Sequence, residues 1–342
     1  MKSKLTIFCL YLTLFLAMFL FNGCGAPDDD EKPAPEALKV EDYFPIIDDV
    51  RYVYEGMGNE FAAYEVYIEY TAQGLVQQRV DNGGTVTARV YEVKDGKLTR
   101  LFSRGETYYR ENMLDRRGDS IEVLLMEPLE VGNSWELADS TKRTITKVDA
   151  DVTTPLGSYK AIEVVSKGKN DTITEYYVKD IGLVKTVFTG QDYEVSSSLK
   201  EIEENAHRIE SIQFYFPGDN DKLISIEKEV SFKTNDVTGQ ILENAYKEAG
   251  TGNSSVDFSS NTIINRLTLN KNNIVEIDLS SEFLTEMNAG SGYEGMIIQS
   301  VADTFGKYYN AQEVILTIEG KPYASGHFEF KEGETIKVNY ML

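Results

Sequence analysis

Apolar and polar residues alternate with a period of two through most of residues 41–203. In "AAYEVYIEYTAQGLVQQRV" (62–80) the alternation breaks at Gly74, and in "TVTARVYEVKDGKLTRLF" (85–102) it breaks at "KDGK", a two-residue hairpin signature. Further strand-like runs follow in "SIEVLLMEPL", "KRTITKVDADVTTPLGSYKAIEVVSKG", "DTITEYYVKDIGLVKTVF" and "DYEVSSSL". Strand and turn signals recur about every 8 to 14 residues, which leaves little room for helix. The pattern predicts an antiparallel all-β domain, either a curved half-barrel or a sandwich.

From residue 209 the period changes. "IESIQFYFPGDNDKLISIEKEVSF" reads as two strands around a turn. Val237, Ile241, Leu242, Ala245, Tyr246 and Ala249 then fall on one helical face, with Asn235 or Asp236 as its cap and Gly250 at its end. "NTIINRLTLNKNNIVEIDL" predicts a second hairpin. A helical stripe of Tyr293, Met296, Ile297, Ser300, Val301, Thr304, Phe305 and Tyr308 comes next, and "EVILTIEG" returns as a strand. The predicted order is β-β-α-β-β-α-β, and the simplest packing is one sheet with both helices on one face. The chain as a whole is then α+β. Its expected divisions are 1–23, a signal segment; 24–40, an acidic tether; 41–203, the β-rich domain; 204–208, a linker within the polar stretch "SLKEIEENAHRIES"; and 209–342, the α/β domain.

The signal segment rests on Lys2 and Lys4, followed by an uncharged apolar run from Leu5 to Phe21 that closes at Gly23-Cys24. This ending resembles the lipobox of bacterial lipoproteins, although Phe21 and Asn22 stand where Leu and a small residue are more usual. The resemblance implies lipidation of Cys24 and an extracytoplasmic, membrane-anchored location. An uncleaved membrane helix is the alternative, since the run is near the shortest length that spans. Cys9 lies inside the apolar run, so a mature chain would keep Cys24 alone and could form no internal disulfide. With 34 Lys and Arg against 56 Asp and Glu, the net charge is −22. That balance argues against nucleic acid and against broad electrostatic docking on an anionic bilayer.

"VEIDLSSEF" (275–283) followed by "YEGMIIQSVADTFGKYYNAQEVILTIEGK" (293–321) resembles the GerMN domain of sporulation and germination proteins. The matching positions are Val275 to Ser280 with Asp278 and Ser280, then Thr304 on the second helix, then Val314 to Gly320. "IQFYFPGDNDKLISIEKEV" fits the family's opening strands. The Gly-Pro pair usual after the first helix is missing; Gly250-Thr251 stands near that place. The resemblance covers about a third of the chain. It implies an envelope interaction domain with a fold like the ring-building modules of secretion and sporulation complexes, and it does not imply catalysis. In the β-rich domain, "TPLGSYKAIEV" and "YYVKDIGLVKTVF" loosely resemble the end of β-rich domains in other bacterial envelope lipoproteins.

The residues themselves point the same way. Ser280 and Ser281 lack the glycines of a nucleophile elbow, and the only histidines are His207 and His327. Ser280 reads better as a cap for the short helix after it, with Glu282 at that helix's positive end. Asp219 and Asp221 read as turn residues rather than calcium ligands. "DNGGT" (81–85) and "GSG" (290–292) lack a phosphate-loop frame, and Trp135 reads as a core residue. No cofactor or metal is expected. The expected role is a non-enzymatic interaction protein that binds an envelope protein or a cell-wall component. The rivals are a peptidoglycan-acting enzyme, which needs convergent acids or a Ser–His pair, and a carrier whose curved sheet cradles an apolar ligand.

Overall fold

Alternating side chains and glycine turns build strands that mostly pair with their neighbours in sequence. The computed structural model describes residues 37–119, 121–219, 221–251 and 258–339; Cys24, the signal segment and all but the end of the tether lie outside them. A short 3-10 helix spans Val40–Tyr43. Six strands follow: β1 (Val50–Met57), β2 (Tyr64–Ala72), β3 (Leu75–Asp81), β4 (Val86–Lys94), β5 (Lys97–Arg104) and β6 (Glu122–Met126). Six more complete the region: β7 (Ser134–Glu136), β8 (Lys142–Thr154), β9 (Gly157–Lys167), β10 (Thr172–Val178), β11 (Gly182–Thr189) and β12 (Glu194–Glu204). They form one twelve-stranded sheet in the order β6-β5-β4-β3-β2-β1-β12-β11-β10-β9-β8-β7. The chain therefore lays down one meander outward from β1 and a second one back to it. At the "KDGK" turn, Asp95 and Gly96 both adopt positive φ (50° and 67°), the geometry that a tight hairpin requires.

This sheet curls until its two edges meet. No backbone ladder joins β6 to β7 among the described residues, and side chains bridge the gap instead. Trp135 Nε1–H donates to the Val123 carbonyl, an Arg143 Nη2–H to that of Leu124, and Asn133 Nδ2–H to that of Met126, each at 2.9 Å. The 3-10 helix closes one end: Val40 is fully buried, and its N–H donates to Glu127 Oε1 at 2.8 Å. A register shift between Ile68 and Tyr70 divides β2 between two faces. Val66 and Ile68 point into the curl, whereas Tyr70, with Gln77 and Arg79 of β3, points outward. The stretch 105–118 covers that outer face. Arg79 donates to the carbonyls of Thr107 and Tyr109, and Gln77 donates to that of Glu111.

The second region contains β13 (Arg208–Pro217), β14 (Leu223–Phe232), α1 (Thr238–Gly250), β15 (Ile264–Leu269), β16 (Ile274–Leu279), α2 (Glu282–Thr285), α3 (Ser291–Tyr308), β17 (Glu313–Ile318), β18 (Lys321–Pro322) and β19 (Ile336–Lys337). Instead of the single sheet expected from the sequence there are two, the β13–β14 hairpin and a mixed sheet in which β16 and β17 run parallel. α3 makes that parallel crossover and also packs on β13. The reason for the split lies at Tyr215, in the middle of β13. Its N–H donates to Thr304 Oγ1 and its carbonyl accepts from the Tyr246 hydroxyl, both at 2.9 Å, so side chains satisfy groups that another strand would otherwise pair. α1 starts without the predicted cap: Val237 is the N-cap residue and makes no side-chain cap bond. Asp236 instead accepts from Lys233 N–H, and Asn235 bonds to Thr71.

The joint between the regions is short and pinned. β12 ends at Glu204 and β13 starts at Arg208, and Ala206 N–H donates to the Asp49 carbonyl at 2.8 Å. Asp49 N–H donates to Thr234 Oγ1 while Thr234 N–H donates to Asp49 Oδ1, both at 2.7 Å. Arg110, 1% exposed, donates to the carbonyls of Glu69, Lys233 and Asp236 and lies over the Tyr70 ring at 4.3 Å. From Leu38 onward the chain is one compact unit.

Candidate functional site

β16 ends in the acidic and serine-rich stretch on which the resemblance rests. Val275, Ile277 and Leu279 are fully buried in the core, so the alternation turns Asp278 to the other face of the strand. Asp278 Oδ1 accepts from Thr317 Oγ1 at 2.6 Å and from Gly320 N–H at 2.7 Å, and its Oδ2 accepts from Asn265 Nδ2 at 3.2 Å. Burial pushes this carboxyl up, but the hydrogen bonds outweigh it and hold the group below the usual aspartate range. Gly320 occupies the β17–β18 turn at φ +74°, a conformation that other residues enter at a cost. Aspartate and glycine, 42 residues apart, thus form one clasp across three strands.

Ser280 does not serve as the expected helix cap. Its hydroxyl oxygen accepts from Ile263 N–H at 3.0 Å, while its own N–H donates to the Ile263 carbonyl at 2.9 Å. The pair extends the β15–β16 ladder beyond its last regular residue. Ser281 is the N-cap residue of α2 and makes no side-chain cap bond; its N–H donates to Glu319 Oε1 at 3.1 Å. Thr304 acts at the α3–β13 contact, separately from the clasp. Cys24 lies outside the described residues.

A buried acid on α3 was not singled out from the sequence. Glu294 is 3% exposed, accepts from the Tyr323 hydroxyl at 2.7 Å, and lies 2.5 Å from His327 Nδ1. Burial would raise its pKa, yet hydrogen bonds from Ser325, His327 and Tyr323 take it below the ordinary glutamate range. Its signal was an acidic residue beside the apolar stripe in the first turn of a helix, which the positive helix end also favours. Among the described residues, no cluster of three or more His, Cys, Asp and Glu side chains is placed to hold a metal ion.

The clasp, the parallel β16–β17 pair and the Thr304 pin all lie within one stretch of chain. Residues 213–324 match the Germane family model, described as sporulation and spore germination. The Germane domain thus runs from within β13 to just past β18 and contains Asp278, Ser280, Thr304 and Gly320. No curated protein matches the chain. Three solved structures resemble part of it. One is described as an exported protein with a YmcC-like fold from Bacteroides fragilis, at 11% identity over 47% of this chain and 99% of that one, with a TM-score of 0.30. Another is described as a lipoprotein from Clostridium perfringens, at 14% identity over 38% and 87%, TM-score 0.24. The third is described as a lipoprotein from Parabacteroides distasonis, at 14% over 47% and 98%, TM-score 0.27. At such scores the likeness carries neither fold nor function. Among the described residues no helix is long and apolar enough to cross a membrane.

Proposed function

We propose that the protein is a lipid-anchored envelope protein whose Germane domain binds another envelope component during sporulation or germination, without catalysing a reaction. The match of residues 213–324 carries this reading. The internal use of the matched polar groups supports it, since Asp278, Ser280 and Thr304 each bond to backbone or side chains of the same domain. Groups so occupied are poor nucleophiles and bases but good fasteners. The anchor rests on Gly23-Cys24 closing the apolar run.

In the native host, deletion should lower spore yield or slow germination, and the intact gene should restore it. A Ser280→Ala chain should restore it as well, while Cys24→Ala should leave an unlipidated chain by intact mass and fail to do so. A folded Ser280→Ala protein without function would overturn the non-enzymatic reading. An unmodified chain beginning at Met1 in the parent strain would overturn the anchor.

A further inference from the structure

Closing twelve strands around side chains alone is difficult, because about eight already give an interior that side chains just fill. The curled sheet does enclose unfilled space, a cavity of about 610 Å³, within the range of small-molecule pockets. Its walls are mainly apolar and aromatic, with Tyr52, Val66, Val80, Leu98 and Tyr177 among them. A band of charge interrupts them. Arg89, Arg100 and Arg143 face the cavity with Glu122 and Glu175, three guanidinium groups against two carboxylates. Arg100 and Arg143 both pair with Glu122, and Arg143 also pairs with Glu175. Arg89 makes no ion pair within 4 Å among the described residues; it lies against the Tyr91 hydroxyl and feels the more distant Glu122, which Arg100 and Arg143 already share. The Nε of Arg89 and the Nε of Arg143, whose side chain is 3% exposed, are buried without a hydrogen-bond partner. Buried donors left in this state are costly, and surplus positive charge in an apolar chamber is costlier.

The cavity extends to the end of the sheet away from the 3-10 helix, where its lining includes an exposed aromatic ring. Phe61, 49% exposed in the β1–β2 loop, lines it together with Asn59 and with Asn82 of the β3–β4 turn, and the Phe61 ring rests on Gly84. The joint to the Germane domain is at the opposite end, where Val50 of β1 pairs with Glu204. We propose that the curled sheet binds one fatty-acid-like amphiphile, its carboxylate against Arg89 and its chain among the apolar walls. Such a ligand supplies one negative charge for the surplus guanidinium and fills volume that would otherwise forfeit packing contacts. The proposal is independent of the Germane reading, because it uses none of that domain's residues.

The test is titration of residues 38–342, the compact unit described above, with cis-parinaric acid followed by its fluorescence. Saturable binding of about one molecule per chain is expected. Palmitate should displace the probe and hexadecanol should not. Arg89→Gln should weaken binding about tenfold or more, as for loss of a hydrogen bond to a charged group, and Arg89→Lys should recover part of it. If Arg89→Gln does not fold, Val66→Phe, which narrows the chamber, should abolish binding on its own. No saturable binding, equal displacement by hexadecanol, or undiminished binding by a folded Arg89→Gln or Val66→Phe protein would overturn the proposal.

Discussion

The curled sheet and the Germane domain bury polar groups in different ways. The sheet region buries full charges: Arg79 with Glu69 on its outer face, and Arg143 with Glu175 inside. The Germane domain buries no arginine among its described residues; it aims the neutral hydroxyls of Thr304, Tyr246 and Ser280 at backbone groups, and its buried carboxylates, Asp278 and Glu243 among them, accept from backbone N–H groups. Geometry accounts for the difference. Helices packed directly on strands leave room for short side chains that satisfy single N–H and C=O groups. A wide curl and a long covering segment leave gaps that only long side chains can bridge, and arginine reaches several carbonyls at once. Neutral pins commit a site to one geometry at small cost, whereas buried charges do so at a large cost if either partner is lost.

The contrast is most easily broken at Arg79. Arg79→Ala leaves Glu69 buried without its partner, so it should destabilise the protein by about 3–5 kcal/mol in denaturant titrations. A loss below about 1 kcal/mol would show that the charges are no more expensive than the hydroxyls. Thr304→Val keeps the shape and removes the acceptor for Tyr215 N–H; it should cost about 2 kcal/mol and speed hydrogen exchange at that amide, while Thr304→Ser should restore protection. Asp278 is the one charged member of the Germane clasp. Its folded pKa is depressed, so its stabilisation is present above the unfolded value of about 4 and is lost as pH falls through the lower folded value. Asp278→Asn should therefore cost about 1.5 kcal/mol at neutral pH, and its melting curve should begin to approach that of the parent only as pH falls below about 4, converging beneath the lower folded value. Ser280→Ala should have the smallest effect, about 1 kcal/mol in the same melts, because it removes one neutral acceptor at the end of a ladder.

The elements were legible in the sequence where a period holds without interruption. The strands of the meander, the Tyr293–Tyr308 stripe and the matched motif all follow from alternation or order. What stayed hidden depended on shifts of parity. The register shift at Ile68/Tyr70 sends Tyr70 to the outer face, beside Gln77 and Arg79, where strict alternation from Ile68 would point it inward, and a second shift, in which Leu101 is the extra residue, does the same to Phe102 in β5. Arg110 lies in a stretch with neither period, so no pattern marked it as the residue on which both regions close. The split of the Germane sheet was hidden because it depends on a hydroxyl of α3 replacing a strand, a tertiary contact that leaves no trace in hydropathy. Ser280 was legible as structural, but its partner was not: Ile263, 17 residues earlier, takes the bond that a local reading gives to the next helix.

The reciprocal Asp49–Thr234 bonds have a mechanical consequence. A chain held near Leu38 and pulled through its Germane domain carries the load across that clasp and the Arg110 carbonyl contacts before it reaches the short Asn205–His207 turn. Several hydrogen bonds arranged in parallel share the force, so the molecule behaves as a stiff lever arm and not as two beads on a string. A partner gripping the Germane domain would therefore also orient the end of the chamber at Phe61.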